Sequence, residues 1–145
     1  MLPIVTHIVA AFEDEAADIA AALDVLDLWS GVEKRGLDTE KFVILHCLLT
    51  GEDFDCAAAR YEPVSVADEG AVVLRLADEA VERLAALDDE ALERVASELA
   101  ATEMFEVEQW EAGDVAELVM QLAELAMLAE SQGQTLFVRM QPITT

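Results

Sequence analysis

The chain has 145 residues, with 31 Asp or Glu against 8 Lys or Arg and a net charge of −23. A hydrophobic content of 54% separates it from disordered chains, and its length suits one domain with a substantial core. A chain this acidic repels phosphate, which argues against nucleic acid or an anionic membrane as a partner.

The charge is unevenly spread. No Lys or Arg precedes Lys34 and none falls between Arg94 and Arg139, so the opening and the last long helix are unrelieved negative surface. Such a surface serves solubility, recognition of a basic partner, or life at high salt; Lys34 and Lys41 are the only lysines.

Ile4 to Val9 is rich in β-branched residues and predicts a first strand over residues 3–10, with Pro3 tolerated at its start. Phe12, Ala16, Ile19, Leu23 and Leu26 then recur at helical spacing and predict an amphipathic helix with these residues inward. Trp29 to Leu37, holding Gly31 and Gly36, reads as a break. Asp38 caps the next helix and Gly51 closes it; this helix is apolar nearly all round and belongs in the core.

Residues 52–70 read as irregular, and Glu52 to Asp55 as a solvated loop, because the glycine of a calcium loop is missing. Val72 to Leu74 predicts a strand over 71–76. Asp78, then Asp88 or Asp89, cap two helices with Val81, Leu84, Leu87 and then Leu92, Val95, Leu99 inward. A linker from Met104 to Glu111 mixes aromatics with acids. Asp114 caps the clearest helix, with Val115, Leu118, Leu122 and Leu125 inward, and a strand over 134–140 ends the pattern. The sum is a single α+β domain, 1–145, with a small sheet of about three strands packed on a layer of about five helices.

Asp38, Lys41, Phe42, Leu45, His46, Leu48 or Leu49, Thr50 and Gly51 form a helix motif that resembles the YfbM-like family of uncharacterised bacterial proteins. That family has an Asp-x-x-Lys-aromatic…Leu-His-x-x-Leu-Thr-Gly helix in its first half. The register of the remaining elements is similar, but Phe42 stands where the family often has Trp, Asp68-Glu69-Gly70 replaces glycines, and the linker carries Phe105 and Trp110 in place of Tyr-Pro…Trp. The resemblance implies an α+β fold and brings no activity with it.

His46 is the residue whose chemistry and position both invite a role, since imidazole serves as acid, base or ligand near neutral pH. A lone histidine in a buried helix is more often a satisfied core group, unless Asp38, Trp110 or Tyr61 converge on it. His7, His46, Cys47 and Cys56 have no zinc spacing, and no serine sits in a Gly-x-Ser-x-Gly elbow, so neither metal, cofactor nor catalytic residue is expected. Two unpatterned cysteines and an acidic opening without a signal sequence predict a cytoplasmic setting. The leading functional expectation is a non-catalytic, immunity- or inhibitor-like interaction protein that meets a basic protein. Its predicted contact surface is Glu103, Glu106, Glu108 and Glu111 around Trp110 and Phe105. The alternative is a small-molecule-binding or hydrolytic domain with a pocket around Asp38, Lys41 and His46.

Overall fold

Thr135–Pro142 (β5) alternates Leu136, Val138 and Met140 with Thr135, Phe137 and Arg139, and every residue from Thr135 to Met140 is buried. A strand buried on both faces belongs at the middle of a sheet covered on both sides. The computed structural model, which describes residues 4–68 and 70–142, places it there. Its neighbours are Ile4–Ala11 (β1) and Val72–Arg75 (β4), with Gly31–Arg35 (β2) and Ser65–Val66 (β3) at the edges. The order is β2-β1-β5-β4-β3, antiparallel throughout.

The chain is α+β, with five strands where the sequence predicts about three, and eight α-helices among the described residues where it predicts about five. Two segments account for the extra strands. The stretch read as a break contains β2, which pairs Val32 with Ile8 and Lys34 with Thr6. Gly31 is required there, because a Cβ would lie 2.3 Å from the Ile8 carbonyl oxygen. The stretch read as irregular contains β3 and also a short helix, Phe54–Ala58 (α4), capped by Asp53 accepting from Cys56 N–H at 2.8 Å. Pro3, expected at the start of the first strand, and Glu69 lie outside the described residues.

The helices cover the sheet unequally. Thr39–Thr50 (α3), Asp78–Ala85 (α5), Asp89–Ala100 (α6) and Ala112–Ser131 (α8) pack on one face, where Ile8, Leu74, Leu136 and Val138 meet Leu84, Leu99, Leu118 and Leu122. Each such leucine, fully buried, stabilises the fold by about 1.5–3 kcal/mol relative to exposure. On the other face Val9, Ala11, Val73 and Phe137 meet a smaller cover of Ala16–Ala21 (α1) and Val25–Leu28 (α2). Arg139 fastens that cover, donating to the Ala22 carbonyl at 3.1 Å, just past the end of α1.

That second face corrects the predicted first helix. Residues 13–28 form a 3₁₀ turn (Glu13–Glu15), α1 and α2 in place of one amphipathic helix, and α1 stops at Ala21 with an extended Ala22 after it. Ile19 is buried, as expected, but Leu23 is 98% exposed and Phe12 and Leu26 are exposed as well. Val25, off the predicted stripe, is buried instead.

Caps were partly legible. Asp38 and Asp88 accept from the backbone N–H three residues on, at 3.2 and 2.7 Å. Asp78 and Asp114 sit inside the first turn of α5 and α8, behind Ala77 and Glu111 at the cap positions. Carboxylates in a first turn still meet the positive end of the helix dipole. Between α6 and α8 the aromatic linker contains a one-turn helix, Glu103–Val107 (α7).

Candidate functional site

Two polar constellations grow from α3, one from each end. At its N-terminal end Asp38 caps the helix, and three residues on the ammonium of Lys41 is buried, 2.7 Å from Glu108 Oε2 and 3.5 Å from Asp38 Oδ2. The same ammonium lies 5.9 Å from the Phe105 ring centre, and Phe105 meets Trp110 edge to face at 5.3 Å. Thus Asp38, Lys41, Phe105, Glu108 and Trp110 form one cluster joining α3 to α7. The sequence divides these residues between two separate sites.

Phe105 is 1% exposed, so it anchors the interior and offers nothing to a partner. Glu108 is half-buried and committed to Lys41. Glu103, Glu106 and Glu111 are exposed, beside Val107 at 73% exposure and a half-buried Trp110.

At the C-terminal end His46, 1% exposed, uses both ring nitrogens. Nδ1 lies 2.8 Å from the Tyr61 hydroxyl and Nε2 lies 3.0 Å from Glu52 Oε1. Glu52 in turn takes two bonds from the Arg60 guanidinium, at 2.8 and 2.9 Å. That guanidinium, foremost, with help from His46, holds the Glu52 carboxyl down to about 2. A carboxylate only accepts, so Nε2 carries the proton. In a neutral ring Nδ1 then accepts from the Tyr61 O–H. Tyr61 Oη itself receives the Ala77 N–H at 3.4 Å. Of the three groups able to converge on His46, Tyr61 arrives and Asp38 and Trp110 do not.

Carboxylate, imidazole and hydroxyl in series have the form of a proton relay. Its end is closed, however. Tyr61 is 3% exposed, and burial pushes its phenol up to about 12. The series serves as a clamp that ties α3, the turn after α4 and the start of α5. The cleft beside it, about 540 Å³, is lined by His46, Val64, Arg60, Arg75, Asp78 and Glu79.

Sequence reasoning overlooked Glu52 and Arg60 as partners of His46. Gly51 was the available signal: with φ 79° it turns the chain back on the helix, returning Glu52 to His46. It also placed Leu23 and Leu26 in the core. They lie with Leu28 at an exposed corner, 98%, 42% and 68% exposed, interleaved with the exposed Asp24 and Asp27.

Among the described residues no three His, Cys, Asp or Glu side chains stand close enough to hold a metal ion, and no helix is long and apolar enough to cross a membrane. Burial, with Glu52 and Asp53 nearby, raises the Cys47 thiol; Asp53, through a hydrogen bond, raises Cys56, and the two cysteines are unpaired. Compared with protein-family models, curated proteins and solved structures, the chain matches none.

Proposed function

We propose that this chain is a non-catalytic interaction protein whose acidic surface receives a basic protein, in the manner of an immunity protein or inhibitor. The observation that carries this is the α1–α2 corner, where Leu23 and Leu26 are exposed beside Asp24 and Asp27 in one shallow cleft, and Leu28 is exposed at the end of α2. Exposed large apolar side chains grouped together mark interaction surfaces, and flanking carboxylates steer a cationic partner toward them. The α7 lip, with Glu103, Glu106, Glu111, Val107 and the accessible part of Trp110, has the same chemistry and serves as a second contact.

Two further parts belong to this proposal. Kinship with the YfbM-like family belongs to it on the motif residues alone, Asp38, Lys41, His46 and Gly51. A cytoplasmic setting agrees with the unpaired Cys47 and Cys56. The alternative, a small-molecule or hydrolytic site at His46, is weakened by the occupation of both ring nitrogens.

The test is capture of basic proteins from native lysate on immobilised chain at low and high salt. It compares the wild type with Leu23→Ser/Leu28→Ser and with Glu103→Gln/Glu106→Gln/Glu111→Gln. The expected result is a basic protein retained at low salt, released at high salt and lost by the leucine variant. Retention of nothing basic, or equal retention by all three chains, overturns the proposal.

A further inference from the structure

A cleft of about 430 Å³ opens at one end of the sheet, between the turn after β1, the β4–α5 junction and the C-terminal end of α8. Its wall carries five carboxylates, Glu13, Asp14, Asp78, Glu82 and Glu130, and one base, Arg75. Arg75 is already engaged, donating from Nη2 to Glu13 and, at 2.7 Å, to Asp78. Glu13, Asp14 and Asp78 have a local reason to be there, since each lies in a helical first turn. Glu130 has the opposite setting. It lies in the last turn of α8, where the dipole disfavours a carboxylate, and that turn contains no base.

The second observation lies in the wall itself. Thr135 is 5% exposed, and its hydroxyl has no hydrogen-bond partner. Gln134 Oε1 is buried and unpartnered in the same wall. Strand register fixes the direction of Thr135. Phe137 stands opposite Arg75, and alternation puts Thr135 on the face of Phe137. From that same face Arg75 reaches Glu13. Buried oxygens without donors are costly, and N–H groups satisfy them. No three of the acids stand close enough to share a metal ion, so the negative charge is spread along the cleft.

We propose that this cleft binds an organic cation carrying two or more separated ammonium or guanidinium groups. Its N–H donors meet Glu82 and Glu130 at the rim and the oxygens of Thr135 and Gln134 within. A free polyamine and the basic side chains of a protein share this chemistry. The site lies apart from the α7 lip and the α1–α2 corner, and does not depend on them.

Calorimetric titration at physiological salt with spermidine, and separately with a blocked Arg-Arg dipeptide amide, tests the proposal. Binding of spermidine alone identifies the free polyamine, binding of the dipeptide alone identifies protein side chains, and either result supports the site. Thr135→Val and Glu82→Gln/Glu130→Gln are each expected to weaken the bound probe about tenfold. Thr135→Val should keep or raise the thermal midpoint of the wild type, because the buried hydroxyl has no partner to lose. Glu103→Gln/Glu106→Gln should leave probe binding unchanged. Failure of both probes, undiminished binding by Thr135→Val, or equal weakening by the α7 variant overturns the site, as does displacement by magnesium at equal charge.

Discussion

The ammonium of Lys41 lies 2.7 Å from Glu108 Oε2, with the lysine side chain 1% exposed. This contact spans 67 residues and holds α7 against the core. A buried ammonium that loses its nearer partner, and keeps only Asp38 at 3.5 Å, retains most of its desolvation cost, so breaking such a pair is more damaging than never having it. Glu108→Ala is therefore expected to destabilise the fold by about 3–5 kcal/mol. Lys41→Met/Glu108→Ala, compared with Lys41→Met and Glu108→Ala alone, should recover most of that loss. Urea denaturation of both single variants and the double gives the coupling, and additive losses would exclude a direct pair.

Tyr61 is the only tyrosine, so absorbance of phenolate near 295 nm reports it alone. Burial raises its ionisation to about 12 in the folded chain, against an ordinary value near 10. The unfolded chain loses its proton first, so this contribution to stability is complete below about pH 10 and is lost as pH rises through about 12. The expected titration midpoint is near 12 in the native chain and near 10 in denaturant. Coincident midpoints would place the phenol in solvent. Tyr61→Phe strips His46 Nδ1 of its donor and should cost about 1–3 kcal/mol.

Glu52 titrates in the opposite sense. Arg60, then His46, lower its carboxyl from an ordinary 4.5 to about 2. Its stabilising contribution is therefore present above about pH 4.5 and disappears as pH falls toward about 2. Glu52→Gln should flatten the acid limb of the stability profile in that window and leave the neutral region with a constant offset. An acid limb of unchanged slope, measured by urea midpoints across pH, would assign the acid sensitivity to other carboxylates.

Leu118 and Leu23 are both read from the sequence as inward-facing, yet they are 2% and 98% exposed. Leu118→Asp places a charge among Leu84, Leu99 and Leu122 and should abolish cooperative folding. Leu23→Asp should move the thermal midpoint little, since no buried contact is lost. Circular dichroism melts of the two variants decide this, and equal melts would reject the assigned positions of both.

Periodicity made α5, α6, α8 and β5 legible, because each leaves a mark at period two or near four; α3, apolar nearly all round, showed through Asp38 and Gly51 at its ends, and β1 and β4 through their β-branched runs. The edge strands left none. Gly31–Arg35 is short, half-exposed and charged, and its pairing with β1 is dictated by the neighbour more than by its own residues. The first-helix error has another cause: helical spacing continues through Leu23 after the helix has ended, and spacing alone carries no terminus. The site was partly legible. Asp38, Lys41 and His46 stand out as residues, but their grouping does not, because Lys41 turns to Glu108 and His46 to Glu52 and Tyr61. The Lys41–Glu108 contact joins segments 67 residues apart and has no local signature, whereas Glu52 lies six residues from His46 and Gly51 marked its return.

The central position of β5 has a kinetic consequence. The pair β1–β2 and the pair β3–β4 are complete once residue 75 has been made, yet they remain two separate half-sheets until Thr135–Pro142 enters between them. Until then β1 and β4 each present an unpaired, apolar inner edge, the condition under which strands of different chains join. The nascent chain thus carries its greatest hazard of self-association just before synthesis reaches β5. Pulse-labelled hydrogen exchange during refolding should find the amides of β5 among the last protected, and early protection there would place the insertion ahead of the helices.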